Sequence, residues 1–210
     1  MIRAVLVPCI YRVLQAIGWA LLRVGYRLRT EGLEHLPKQG GVILACNHLS
    51  FLDPAAIGAA CPRRVTFLAR EPLFEEPVLG PFMRFMGAIA VDRPNTDVGL
   101  RQAVRALQQG VAVVIFPEGG RQFSGRIGTA KPGVGLLAGR ADVPVVPVLL
   151  EGTFQALPPA ARWLRPAKIR VAFGPRIYYP RGRLSEVAYH QLARQVTACW
   201  HQLASRSHNR

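Results

Sequence analysis

A histidine and an aspartate, His48 and Asp53, stand five residues apart in "ACNHLSFLDPAA" (45–56), beyond the apolar run "GGVILAC". A histidine of near-neutral pKa can take a proton from a hydroxyl as that oxygen attacks a carbonyl. A carboxylate beside it fixes the tautomer of the ring and offsets its charge. Asp53 reaches His48 if the residues between them turn back. A structural role competes, because Asp53 followed by Pro54 reads as the N-cap and first position of a helix. One residue can serve both ends. A second loaded stretch is "FPEGGR" (116–121). Its turn can leave backbone N–H groups facing outward, and Arg121 offers a fork suited to phosphate. By itself it also reads as a loop in which Glu118 and Arg121 pair with each other.

These residues need elements to hold them. Beyond Thr30 the chain alternates short apolar runs with helix-like segments. Strands are expected at 41–46, 65–69, 88–92, 111–116, 143–150 and 168–173, and helices near 54–60, 78–86, 97–109, 132–140 and 184–205. The alternation predicts an α/β fold: a single layered domain, 31–210, with a largely parallel sheet flanked by helices. An N-terminal helical segment, 1–30, precedes it. Pro144 and Pro147 argue against a central place for the fifth strand. In such sheets ligands gather where strands end and helices begin, and both loaded stretches sit there.

Composition narrows the partners. Half of the 210 residues are apolar, which excludes a disordered or fibrous chain. The formal charge of +15 suits an anionic partner: nucleic acid, an acidic bilayer or a phosphorylated substrate. The excess is larger in the second half, with 13 basic and 8 acidic side chains in residues 1–105 against 14 and 4 thereafter. No acid occurs between Gly152 and Ser185, a segment carrying Arg162, Arg165, Lys168, Arg170, Arg176, Arg181 and Arg183 around Trp163. That mixture suits lipid headgroups and RNA alike. Cys9, Cys46, Cys61 and Cys199 lack disulfide or zinc spacing, which favours a reducing, cytoplasmic setting. No metal is expected.

The first 29 residues decide between those surfaces. They contain no acid and are interrupted by Arg3, Arg12, Arg23, Arg27 and Arg29, a poor secretory signal. The longest charge-free run, Val13–Leu22, covers about 15 Å as a helix against a hydrocarbon core of about 30 Å. It is too short to span. At about 100° per residue Arg12, Arg23 and Arg27 share one sector, with Leu14, Trp19, Leu21, Leu22 and Val24 largely elsewhere. The pattern predicts a helix lying in a membrane interface. The competing reading is a helix packed on the protein's own core, and different turns can do each.

In chain order, "NHLSFLD" (47–53), "GAIAVDR" (87–93), "FPEGGR" (116–121) and "VPVVPV" (143–148) resemble the four sequence blocks of the glycerolipid acyltransferases, the 1-acyl-glycerol-3-phosphate acyltransferase family. "AREPLFEEPVLG" (69–80), "SGRIGTAKPG" (124–133) and "VAFGPRI" (171–177) are smaller echoes. The resemblance implies that His48 is a general base and Asp53 its partner. It makes Arg93, Glu118, Gly119 and Arg121 the acceptor-binding set, with Arg70 and Lys131 as further phosphate contacts. Asn47 and Ser50 would order the loop, and "VPVVPV" would shape the pocket. The implied reaction moves an acyl chain from acyl-coenzyme A or an acyl-carrier protein to a lysophospholipid hydroxyl, with no cofactor and no covalent acyl-enzyme. The default acceptor is 1-acyl-glycerol-3-phosphate, giving phosphatidic acid, and a lyso-amino-acid lipid or glycerol 3-phosphate is the alternative. The implied partners are membrane phospholipids, not nucleic acid, and the implied place is peripheral, on the cytoplasmic face of the cell membrane. One position departs from the family: Gly120 stands where Thr or Ser is usual, which bears on headgroup recognition. Two rivals stay open, an acyl hydrolase using His48 with Ser50 or Cys46, and a basic RNA- or membrane-coating protein. The hydrolase lacks a G-x-S-x-G elbow, and the coating protein leaves both loaded stretches unexplained.

Overall fold

The apolar runs become strands because they are β-branched and buried on both faces. Every residue of "VILAC" (42–46) is buried, as a parallel strand between two helical layers requires. The computed structural model describes residues 2–77, 79–85, 87–91, 96–159, 161, 163–180, 182 and 184–208, without side chains for 2–9, 79, 82, 85, 96 and 208. Helix α1 (Ile2–Gly25) and strand β1 (Arg29–Glu31) come first. After a 3₁₀ turn, Leu33–His35, follow β2 (Val42–Cys46), α2 (Asp53–Ala60) and β3 (Val65–Arg70). Two short helices, α3 (Pro72–Glu75) and α4 (Leu79–Phe85), lead to β4 (Ile89–Val91) and α5 (Thr96–Gln108). Then come β5 (Ala112–Ile115), α6 (Gly133–Ala141), β6 (Val145–Glu151), α7 (Thr153–Ala156), β7 (Arg170–Phe173) and α8 (Glu186–His208).

The seven strands form one sheet in the order β1-β7-β6-β2-β5-β3-β4. Only the β6–β7 pairing is antiparallel, so β7 and β1 run against the other five strands. The fold is the expected α/β layering with a largely parallel sheet. On one face α1 and α2 pack through Leu22, Ala56, Ile57 and Ala60. On the other lie α5, α6 and α8, with Leu107, Leu137 and Trp200 among the buried residues. The chain leaves β2 for β3 on one side and leaves β5 for β6 on the other. The β2–β5 crevice is therefore the topological switch point, where such sheets bind ligands.

One expectation is corrected. β6, the strand with the prolines, sits inside the sheet between β7 and β2. Pro144 lies just outside the strand. Pro147 directs its carbonyl to Gly174 N–H at 2.8 Å, so its missing N–H faces the same side. There the ladder is already broken: Val148 pairs with Phe173, but the next bridge is Val145 with Ile177. Three residues oppose two in that gap, a bulge that needs no donor from Pro147. Edge strand β1 had no counterpart in the sequence reading. It is held by Arg170, which bonds Glu31 at 2.8 Å and Glu151 at 2.7 Å. Arg170 is thus a structural member of the acid-free basic segment. Arg162, Arg181 and Arg183 lie outside the described residues or their described side chains.

Helix α1 divides its circumference three ways. Tyr11, Gln15, Gly18 and Leu22, recurring every three to four residues, face α2. Gln15 donates to the Gly58 carbonyl at 2.8 Å and the Cys61 carbonyl at 2.6 Å. The Tyr11 hydroxyl accepts from Val65 N–H at 3.1 Å. Arg12 and Arg23 occupy a second, exposed sector. The third exposes Ile10, Val13, Leu14, Ile17, Leu21 and Val24, the last 84 % exposed. Two residues grouped with the apolar side in the sequence reading lie elsewhere: Leu22 is one of the buried contacts, and Trp19 falls in the arginine sector beside Arg23. Among the described residues no helix is long and apolar enough to cross a membrane.

Candidate active site

β2 ends at Cys46 and delivers Asn47 and His48 into the switch-point crevice. Asn47 extends the β2–β6 ladder with its side chain: its amide donates to the Leu150 carbonyl at 3.0 Å and its oxygen accepts from Leu150 N–H at 2.7 Å. Ser50 Oγ donates to the Leu157 carbonyl at 2.7 Å and accepts from Leu52 N–H at 3.1 Å. With both sides fixed, the loop turns back on itself. His48 Nδ1 lies 2.8 Å from Asp53 Oδ2, inside hydrogen-bond range. The same carboxylate oxygen accepts from Leu49 N–H at 2.7 Å and Ser50 N–H at 2.8 Å. Asp53 is fully buried. Three contacts thus converge on that one oxygen.

The N-cap expectation for Asp53 is corrected by the same contacts. Leu52 occupies the cap position, and Asp53 is the first residue of α2 with no bond to the helix N–H groups beyond it. Its acceptor oxygen is already committed to the loop behind. A proton on Nδ1 satisfies the carboxylate and leaves the lone pair of the neutral ring on Nε2. The ring also stacks on Phe116, with centroids 4.1 Å apart. The orientation of the His48 ring is therefore fixed from two sides.

The second stretch leaves the adjacent strand β5 and is stitched to the first. Glu118 Oε1 accepts from His48 N–H and Gly128 N–H, each at 3.4 Å. Gln122 N–H donates to the His48 carbonyl at 2.9 Å. Burial pushes the Glu118 carboxyl up to about 7, against the lowering pull of these N–H groups and the Gln122 amide. Its Oε2 is buried without a hydrogen-bond partner. Glu118 and Arg121 form no ion pair with each other, so the simple paired-loop reading fails. Arg121 instead lies flat over Phe51, its Cζ 3.5 Å from the ring centroid and 5.7 Å from that of Phe123. Its Nη1 is buried without a partner.

Gly119 marks where the remaining cations converge. The Arg70 guanidinium donates to its carbonyl. A Cβ on Gly119 would lie 2.7 Å from Lys131 Nζ, and its φ of 79° favours glycine. Lys131 is held in turn by its N–H bond to the Pro117 carbonyl at 2.9 Å. The sequence-named residues His48, Asp53, Asn47, Ser50, Glu118, Gly119, Arg121, Arg70 and Lys131 thus gather at the carboxyl ends of β2, β3 and β5. Arg93 lies outside the described residues. Asp92, in the same block, lies outside them too.

The sequence profile of the acyltransferase family matches residues 27–151. The chain belongs to the acyltransferase family. A chloroplastic 1-acyl-sn-glycerol-3-phosphate acyltransferase of Arabidopsis thaliana is 33 % identical over 146 residues, covering 67 % of this chain and 41 % of that protein. The 1-acyl-sn-glycerol-3-phosphate acyltransferase of Bacillus subtilis (strain 168) is 29 % identical over 133 residues, covering 62 % and 65 %. This chain spans about half the length of the plant relatives it matches. The fold is also that of the crystal structure of the 1-acyl-sn-glycerophosphate acyltransferase of Thermotoga maritima. That likeness has a TM-score of 0.79 at 24 % identity, over 96 % of this chain and 83 % of that one.

Within this acyltransferase-family site, sequence reading passed over four side chains. Phe116, the platform under His48, stood inside a quoted motif but carried no charge to draw notice. Gln122, Phe51 and Phe123 were missed for the same reason, though Phe51 lies between two named positions. The hydrolase rival loses its nucleophiles. Cys46 is buried, and burial, with the nearby Asp53 charge, pushes its thiol well above the ordinary range. Ser50 has its hydroxyl committed to Leu157 and Leu52.

Proposed function

We propose that the protein transfers an acyl chain from an acyl thioester, acyl-coenzyme A or an acyl-carrier protein, to the free hydroxyl of a lysophospholipid. The acceptor supported best is 1-acyl-glycerol-3-phosphate, giving phosphatidic acid. One observation carries the reading: the His48–Asp53 bond of 2.8 Å, joined to the Glu118–Arg121 loop at the switch point. Nε2 of His48 takes the hydroxyl proton as the acceptor oxygen attacks the thioester carbonyl. Asp53 steadies the imidazolium that forms. Collapse of the tetrahedral intermediate breaks the C–S bond, and the imidazolium returns its proton to the departing thiolate. No other electron or proton source is needed.

Arg121, Arg70 and Lys131 supply the charge for the acceptor phosphate, with Arg93 from the neighbouring block. The buried, unpartnered Nη1 of Arg121 and Oε2 of Glu118 suit an acceptor that brings an anionic oxygen and a hydroxyl. The names of the relatives support the same acceptor. The exposed apolar sector of α1 supports a peripheral seat on a membrane, where acceptor and product reside, and we assign it to the cytoplasmic face of the cell membrane. The domain 31–210 then carries the chemistry and segment 1–30 the attachment.

The test is thiol release from acyl-coenzyme A and from an acyl-carrier protein, with and without lysophosphatidate. Acceptor-dependent release that collapses in His48→Ala is expected. Equal release without acceptor indicates a thioesterase and overturns the reading.

A further inference from the structure

Residues 157–169 join α7 to β7 and carry an unusual tip. Trp163 is 82 % exposed and Leu164 58 %, with Arg165 and Lys168 exposed beside them. An apolar pair in water, flanked by cations on an acid-free stretch, has the chemistry of a headgroup-level anchor. The indole sits at the boundary, and the cations lie among phosphates.

Both ends of this stretch are pinned. Toward the site, the Leu157 carbonyl accepts from Ser50 Oγ at 2.7 Å, and Arg165 N–H donates to the Ala156 carbonyl at 2.8 Å. At the far end, Ile169 N–H donates to the Tyr26 carbonyl at 2.9 Å and Arg29 N–H donates to the Ile169 carbonyl at 3.0 Å. The stretch therefore links the histidine loop to the end of α1 where Leu21 and Val24 are exposed. Beside that end, Trp19, Arg23, Leu28, Arg29, Thr30 and Glu31 line an open cleft of about 420 Å³.

We propose that Trp163 and Leu164 form a second insertion point into an anionic phospholipid bilayer, acting together with the exposed face of α1. The proposal rests on the membrane reading of α1. A helix lying in the interface can roll about its own axis. A second contact, reached through the loop that carries Ser50, removes that freedom and sets the tilt of the His48 crevice toward the lipid. Charge complementarity suits an acidic protein as well, but the backbone tie from this stretch to the end of α1, with large apolar side chains exposed on both, favours the bilayer.

The experiment follows tryptophan emission of the full chain in Trp19→Phe, which leaves Trp163 exposed and Trp200 buried. The probe is mixed phosphatidylcholine–phosphatidylglycerol vesicles, some brominated in the acyl chains. A blue shift and quenching of Trp163 are expected, both weaker on pure phosphatidylcholine. The double substitution Trp163→Ala, Leu164→Ala should weaken partitioning roughly 10- to 100-fold, with the rate on detergent-dispersed acceptor unchanged. Trp163 emission indifferent to vesicles overturns the proposal. So does a shift produced only by an acidic carrier protein. In Trp19→Phe, Trp163→Phe, Ile17→Trp an indole on the exposed apolar sector reports α1 separately, so quenching there without quenching of Trp163 sinks the second anchor and spares the first. Binding is read without turnover, so a failed acyltransferase assay leaves this test intact.

Discussion

If Asp53 acts only through His48, removing both groups should cost no more than removing His48. The structure allows the magnitudes to be worked. Asp53 Oδ2 receives N–H bonds of 2.7–2.8 Å from His48, Leu49 and Ser50. Asp53→Asn keeps an oxygen for these donors and deletes the negative charge facing the imidazolium. A hydrogen bond to a charged group contributes about 1.5–3 kcal/mol, so kcat/KM should fall roughly 10- to 150-fold. His48→Ala removes the proton acceptor and should cost about 10²- to 10⁴-fold. The double variant should match His48→Ala within a few-fold, because groups acting as a unit are not additive. Independent action would multiply the losses, to on the order of 10³- to 10⁶-fold. The assay is thiol release from acyl-coenzyme A with lysophosphatidate in detergent. A melting curve for each variant separates lost chemistry from lost folding. A double variant that multiplies the single losses would refute the assignment of Asp53 as partner to His48.

Glu118→Gln tests the buried carboxyl. An acid whose folded pKa is raised loses stability as pH climbs from its ordinary value, 4.5, to its folded value, about 7. The pH-dependent gap between wild type and Glu118→Gln should therefore grow by up to about 3 kcal/mol over that window and then stay level, roughly 5–10 °C in Tm. Melting curves that run parallel from pH 4.5 to 8 contradict it. Gly119→Ala should destabilise by about 1–2 kcal/mol and displace Lys131, since its φ is positive and the added Cβ meets Nζ. Gly120→Ala next to it should cost under about 0.5 kcal/mol, because its Cβ would meet only Arg70 Nη2 at an ordinary 3.6 Å; chemical denaturation distinguishes the two. Arg121→Lys keeps the charge but loses the flat stack on Phe51, so acceptor KM should rise about tenfold with kcat nearly unchanged. A fall in kcat alone argues against phosphate binding by Arg121.

Much of the site was legible because polar motifs at strand ends announce themselves. His48, Asp53 and Glu118 are polar residues that apolar runs deliver to strand ends, which alternation located; the strand order that makes those ends a switch point is long-range and was not legible. The failures have physical causes. Pro147 was read as excluded from an inner strand because a proline lacks a donor. The bulge opposite it, between Phe173 and Ile177, is a long-range feature that no local pattern encodes. Asp53 looked like a cap because Asp-Pro often is one; the competing donors, Leu49 and Ser50 N–H, appear only once the loop has turned. β1 is three residues long and depends on Arg170, 139 positions away from Glu31 in the chain. Phe116 and Phe51 act through ring faces, and apolar side chains near a motif read as core.

The proposed attachment and the proposed chemistry share a mechanical element. α2 begins at Asp53, which orients His48, and runs to Ala60. Along that helix α1 is seated by Gln15, which grips the Gly58 and Cys61 carbonyls, with Gly18 facing Ala59. Any tilt that a bilayer imposes on α1 is therefore passed to a helix whose first residue is the carboxylate of the pair. The arrangement favours rigidity over hinging: on the proposed reading the acceptor is drawn from a surface whose height α1 sets, and the proposed base meets its hydroxyl within hydrogen-bond reach. A chain tethered by a loose segment would hold the same residues, but His48 would have no fixed height above the lipid.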